Sequence, residues 1–423
     1  MLFNCRFKVI GLNIRGQLFR MFFYLRNRTK LIIMDFNQII NREGTNALKL
    51  DFRERLFGTN DVLPLWVADM DFPAPDEVVD AIRKRAEHPL YGYTTRDDTF
   101  YQAIVKWLKE QHKWEVSSDW VEYMPGVVPT LIMAVLAFTE PGDKVVIQPP
   151  VYPPFFEVIK DHKRMIAENP LLNTPDGYLM DFEHLDKVTS DKKVKMMILC
   201  HPHNPVGRVW TKEELEKVGE ICLKNNVLII SDEIHADLAF EDNRHIPVAM
   251  VSPGLADNTI TCMAPSKTFN IAGLNTSYIV ASNPKLLRVM RRQLQSFHLF
   301  TGNMFGAEAL KAAYNEGRPW LRALLDYLEG NIDYVLDFLN ANMPEIKVHR
   351  PEATYLMWLD FSEWGMPSEK LKNFIIEKAR LGLNYGPTFG AQGEGFMRLN
   401  VASPGKIIEE AMDHLLRARN FIR

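Results

Sequence analysis

Between Gly126 and about residue 281, short apolar runs alternate with helical patterns, and this alternation leaves few folds open to the chain. Lys144-Val145-Val146-Ile147, Val194 to Cys200, Val227 to Ile230 and Ser277 to Val280 are mostly apolar without an in–out rhythm. A strand buried on both faces needs such a run, whereas a strand with one wet face alternates. Between the second and third runs the spacing predicts a helix over roughly 211–225. Thr211 opens it with Glu214 three residues on, the spacing of a capping box. Buried strands separated by helices predict a mainly parallel sheet in a three-layer α/β domain.

The flanks read differently. A charged amphipathic helix is expected over 76–88, then the aromatic loop Leu90-Tyr91-Gly92-Tyr93-Thr94, then a second helix over 97–112. Beyond about residue 306 the pattern is helical, with a long helix over 319–342. Strand-like pieces Tyr355–Leu359 and Phe396–Asn400 flank another helix over 367–380. At 423 residues the chain exceeds the usual size of one core. The expected division is a large domain over 76–306 and a smaller α/β domain over 307–423, which recruits residues 34–75. No repeat or low-complexity tract interrupts this layout.

Residues 1–33 carry seven Lys or Arg and no acid. Basic and apolar residues alternate there too closely for a membrane span, which needs about 20 mostly apolar residues. A basic, acid-free stretch suits a targeting or membrane-surface segment. The favoured expectation is sequence upstream of a natural start at Met34. The remainder carries 43 basic and 53 acidic residues, a balance that argues against a nucleic-acid surface. Cys5, Cys200, Cys222 and Cys262 have neither pairing nor metal-ligand rhythm, which implies reduced thiols and a cytoplasmic protein.

Several residues at expected strand ends carry chemistry, because ligands of open α/β sheets collect there. Lys267 follows the apolar strand Thr259–Met263 in Ala264-Pro265-Ser266-Lys267-Thr268. A lysine so placed can form a Schiff base with an aldehyde cofactor. Asp232 closes the run from Val227, where a carboxylate is costly unless paired with a cation or used as a cap. A protonated pyridine is such a cation, and the two groups together meet two requirements of pyridoxal phosphate chemistry. Gly126-Val127-Val128-Pro129 precedes a helical run from Thr130 to Thr139, so its N–H groups suit an anion; a plain helix start reads the same way. Tyr152, fixed among prolines, is either a core tyrosine or a platform for a flat ring. Asn204 in His203-Asn204-Pro205 has an amide free for a phenolate oxygen, although Asn-Pro turns are common. Arg398 in a C-terminal strand offers a two-bond grip on a carboxylate, or a structural salt bridge.

In this order the residues resemble the fold-type I pyridoxal-phosphate superfamily, in its class I/II aminotransferase branch, from Met34 to the C-terminus. The resemblance implies that Lys267 is the Schiff-base lysine and Asp232 the pyridinium partner. Asn204 then binds the 3′-oxygen, Tyr152 stacks on the ring and Arg398 holds the substrate carboxylate. Val127 and Val128 offer N–H groups to the phosphate, with Ser266 nearby. Tyr93 resembles the tyrosine that reaches the neighbouring subunit's phosphate, which implies a homodimer with shared sites. Leu65-Trp66-Val67-Ala68-Asp69-Met70-Asp71-Phe72 is similar to the N-terminal signature of the MalY/PatB-type C–S lyases. His235 and Asn275 agree with that subgroup, standing where other members usually carry tyrosine and a phosphate-binding arginine. Ala264 departs from the usual hydroxyl residue three places before the lysine, which moves weight to Ser266 and the backbone. The implied activity is β-elimination from a cysteine thioether such as L-cystathionine, with Lys267 removing the Cα proton and Lys267 or Tyr93 serving the leaving sulfur. An aminotransferase, and a regulatory protein that keeps the fold, are the alternatives.

Overall fold

The computed structural model describes residues 34–240 and 242–422. The basic segment 1–33 and the readings made of it lie outside the described residues. The buried apolar runs form a seven-stranded sheet of β1 (Val121–Met124), β2 (Lys144–Ile147), β3 (Met165–Glu168), β4 (Val194–Cys200), β5 (Leu228–Asp232), β6 (Thr259–Met263) and β7 (Ser277–Val280). Their spatial order is β1-β7-β6-β5-β4-β2-β3. The four neighbouring pairs from β6 to β3 are parallel, while β7 runs antiparallel to both β6 and β1. Two reversals restore direction, so β1 again ends at the edge where β2, β4, β5 and β6 end.

The unbroken apolar runs follow from burial on both sides. All five residues of β6 and six of the seven in β4 are buried, including Thr259 and Thr261. β1 and β3, each four residues long with a glutamate, were not read from the sequence. Helices form at or within a few residues of the spans read from the sequence at α1 (Asp76–Glu87), α2 (Asp98–His112), α3 (Val127–Phe138), α4 (Lys212–Lys224), α6 (Arg318–Asn342) and α7 (Ser368–Glu377), while α5 (Met304–Glu316) and α8 (Gly405–Arg419) were not assigned individually from the sequence. Thr211 and Glu214 close the expected capping box of α4, and Asp97 caps α2 by accepting from Phe100 N–H. α3 begins three residues before the expected Thr130, with Pro129 tolerated in its first turn.

A second sheet is wholly antiparallel, in the order β8-β9-β11-β10: Lys347–Val348 (β8), Leu356–Asp360 (β9), Asn384–Tyr385 (β10) and Phe396–Asn400 (β11). Leu63-Pro64 pairs in parallel with Leu381-Gly382, which ties the chain ahead of residue 70 to the C-terminal segment. Residues 36–423 cluster as one unit. Among the described residues no helix is long and apolar enough to cross a membrane.

Candidate active site

Gly126, Tyr152, Asn204, Asp232 and Lys267 lie within a few residues of strand ends on one edge of the large sheet, and they face a cavity of about 270 Å³. Val127, Val128, His235, Ser266 and Asn275 line it too. A hollow of about 850 Å³ between α1 and α5 is larger, but it is open and bordered by mixed surface charges. Among the described residues no three His, Cys, Asp or Glu side chains converge as a metal site.

Lys267 stands on a single helical turn, Pro265–Thr268, just beyond β6. Its Nζ donates to the Ala68 carbonyl at 2.6 Å. Burial, with Arg398 nearby, lowers its amine to about 8. Far more of the neutral, nucleophilic form is therefore present near pH 7 than for an exposed lysine.

Asp232 ends β5 between two thiols: its register partners are Cys200 on β4 and Cys262 on β6. Its carboxylate accepts one hydrogen bond, from Ile234 N–H at 3.2 Å. Burial raises it to about 7, only partly offset by that bond and by Lys267. No ion pair to Asp232 forms among the described residues. A carboxylate so placed favours a cationic partner from outside the protein.

Arg398 is buried in the middle of β11 and likewise has no carboxylate partner among the described residues. NH1 donates to Asn204 Oδ1 at 3.0 Å, and NH2 donates to the Trp66 carbonyl at 2.8 Å and to Asn384 Oδ1. Its guanidinium lies over the Phe389 ring at 5.1 Å, and burial lowers it to about 10. Arg398 is thus an oriented, desolvated cation. Because Asn204 accepts through Oδ1, its amide N–H groups remain for another acceptor. His235 is kept neutral, at about 3, by burial and then by Lys267 and Arg398. Its Nδ1 is buried without a hydrogen-bond partner among the described residues.

At the other end of the cavity Gly126 adopts φ 130°, a region that side chains rarely enter. This conformation aims the start of α3 at the cavity. The first-turn N–H groups of a helix have no carbonyl a turn earlier to bind, so Val127 and Val128 present donors to an anion. Asn275 borders this end with φ 45°, which asparagine tolerates.

Two expected site residues do not line the cavity: Arg398, which touches its lining through Asn204, and Tyr93. Tyr93 is fully exposed.

The sequence marks Leu65–Phe72 only by resemblance and does not show its role: the segment reaches the cavity through Ala68, and successive carbonyls of Trp66–Met70 receive donors from elsewhere. Asn400 Nδ2 binds the Val67 and Asp69 carbonyls, both at 2.7 Å. Tyr355 Oη reaches Ala68 at 2.9 Å, and Asn270 Nδ2 reaches Met70 at 3.0 Å. Asp69 and Asp71 are held by Arg42, and Asp71 also by Lys49 at 2.6 Å. One signal was available: Arg398 and Asn400 are two polar residues at i and i+2 of an apolar strand, hence on one face.

Comparison with known proteins agrees with this geometry. The model of the aminotransferase class I and II family matches residues 60–415. Cystathionine beta-lyase PatB of Bacillus subtilis is 43% identical over 385 residues, which is 91% of this chain and all of PatB. Protein MalY of Escherichia coli is 33% identical, over 92% of this chain and all of MalY. The crystal structure of cystalysin from Treponema denticola, which contains pyridoxal 5′-phosphate, superposes with a TM-score of 0.89 at 38% identity, covering 93% of this chain and all of that one. The chain therefore belongs to the aminotransferase class I and II family, in the group that includes PatB and MalY.

Proposed function

We propose that this protein is a pyridoxal-phosphate-dependent C–S β-lyase that cleaves L-cystathionine and related cysteine thioethers. The observation that carries the reading is a cavity lined by a buried amine lowered to about 8 and a buried carboxylate raised to about 7, with a buried guanidinium bonded to Asn204 of its lining; neither the carboxylate nor the guanidinium has an ion-pair partner among the described residues. These are the complements of an aldehyde, a pyridinium and an α-carboxylate. Lys267 takes the aldehyde, Asp232 the ring nitrogen, Tyr152 a ring face, and Asn204 with His235 the side of the ring that bears the 3′-oxygen. Val127, Val128 and Ser266 take the phosphate. Pyridoxal phosphate, when bound, supplies the electron sink that accepts the pair left at the substrate Cα.

Arg398 binds the substrate carboxylate and fixes the Cα–H bond towards Lys267. The Lys267 amine, released once substrate is bound, removes that proton. The Cβ–S bond then breaks, and the sulfur takes up a proton from Lys267 or from Tyr93 of a second copy of the chain. With water taken up, cystathionine yields homocysteine, pyruvate and ammonia. We further infer a cytoplasmic homodimer in which Tyr93 completes the partner's phosphate site. In this reading residues 34–75 and 307–423 form a smaller domain beside the 76–306 domain.

The test is pyruvate release from L-cystathionine by the purified holoenzyme without added keto acid. Stoichiometric pyruvate and free thiol are expected. No pyruvate, with amino transfer to 2-oxoglutarate instead, would overturn the lyase reading in favour of an aminotransferase. The retained Lys267 and Asp232 argue against a purely regulatory role.

A further inference from the structure

The stretch Asp232-Glu233-Ile234-His235-Ala236-Asp237 holds three acids, and only Asp232 lines the cavity. Asp237 is 5% exposed and points into the protein behind Lys267. Three donors converge on it. Oδ1 receives Trp107 Nε1 at 3.0 Å and lies 2.8 Å from His112 Nε2, both on α2. Oδ2 receives Thr268 Oγ1 at 2.8 Å. Thr268 is fully buried and adjoins Lys267 in the chain.

The turn that carries Lys267 is four residues long, too short to hold its own orientation. Its direction must come from side-chain anchors. Phe269 packs against Trp107 and Trp320, with ring centroids at 5.7 and 6.0 Å, which fixes its depth. The next residue, Asn270, accepts from Met70 N–H and donates to the Met70 and Phe72 carbonyls. Among the described residues, Thr268 to Asp237 is the polar tie that joins the turn to α2. The assembly behind it is rigid: Trp107 stacks on Tyr314 at 4.9 Å, and the His112 ring stands 5.4 Å from His245, itself bonded to Glu233 at 2.8 Å. His201 lies 4.2 Å beyond His245.

We propose that Asp237 is a positioning residue for the reaction: through Thr268 it aims the Lys267 amine at the substrate Cα. This rests on the reading of Lys267 as base and cofactor anchor. A displacement of about 1 Å at a reacting group can lower a rate about 10²-fold, so a lost anchor acts on turnover more than on binding.

The test compares Asp237→Asn, Thr268→Val and Thr268→Ser holoenzymes with wild type. Each is followed by steady-state kinetics, by the pH titration of the visible absorption of the lysine-bound cofactor, and by thermal melting. Asp237→Asn and Thr268→Val are expected to lower kcat about 10-fold to 100-fold with KM within about twofold. The midpoint of their absorption titration should move by at least about half a pH unit. Thr268→Ser, which keeps the hydroxyl, should behave as wild type. If Asp237→Asn fails to fold, Thr268→Val decides alone, because it leaves the Trp107 and His112 bonds intact. The proposal is overturned if Thr268→Val keeps wild-type kcat and absorption titration, or if Thr268→Ser is as impaired as Thr268→Val. Failure of the underlying reading looks different: the wild type itself then shows no lysine-dependent visible band.

Discussion

The two walls of the cavity are built by opposite means. On the sheet side, Asp232 and Lys267 arrive as side chains at the ends of adjacent parallel strands, and burial sets their proton affinities. On the facing side, Trp66–Met70 contributes mainly backbone carbonyls, which receive Arg398, Asn400, Tyr355 and Lys267. One wall holds reactive groups; the other fixes where they point. Substitutions on the first should therefore change the chemistry, and those on the second should change alignment and stability.

The largest effect separates the walls most sharply. Lys267→Ala removes the base and the cofactor anchor together, so kcat should fall by about 10⁴-fold or more while the fold persists. A pyruvate assay with a melting curve checks this. Measurable turnover within about tenfold of wild type would show that the sheet-side wall does not hold the reactive amine.

Arg398→Lys tests the junction of the walls, because Arg398 reaches Asn204 on one side and Trp66 on the other. Lysine keeps the charge but loses the planar fork, leaving the Asn204, Asn384 and Trp66 oxygens without their donors. We expect kcat/KM to fall about 10²-fold, mainly through KM. A loss confined to kcat would place Arg398 with the reactive wall instead.

The difference also explains what the sequence disclosed. Lys267, Asp232 and Asn204 are legible because each is a single polar residue just past an apolar run, and strand periodicity carries that information locally. The carbonyl wall is not legible in that way. A main-chain oxygen has no residue signature, and the donors to Ala68 come from residues 267 and 355, distant in sequence. Likewise Asp237 looks like an ordinary loop acid until α2 brings Trp107 and His112 to it. Tyr93 was legible only by resemblance, since it is fully exposed among the described residues.

A tenfold effect should appear in the pH dependence of cofactor uptake by the apoprotein. Lys267 must be neutral to attack the aldehyde. Below about 8 it is mainly the ammonium, and above that value the amine. The rate of uptake should rise with pH, be half-maximal near 8, level off by about pH 9, and at pH 7 be about a tenth of that plateau. Stopped-flow absorbance gives the midpoint. A midpoint near the ordinary lysine value of about 10.4 would mean that burial does not tune this wall.

The smallest effect asks whether the carbonyl wall is redundant. The Ala68 carbonyl accepts from both Lys267 Nζ and Tyr355 Oη. Tyr355→Phe removes one donor without leaving the oxygen unpaired, so the cost should be that of one net hydrogen bond, about 1 kcal/mol of stability. The oxygen then has more electron density for the remaining donor, and the ammonium form of Lys267 is the stronger donor. Its proton affinity should rise, moving the uptake midpoint to a higher pH, while kcat at pH 9 stays within about twofold. A loss of about 3 kcal/mol or more would show instead that Lys267 does not keep the Ala68 oxygen paired once Tyr355 is gone, since only an unpaired buried group costs that much.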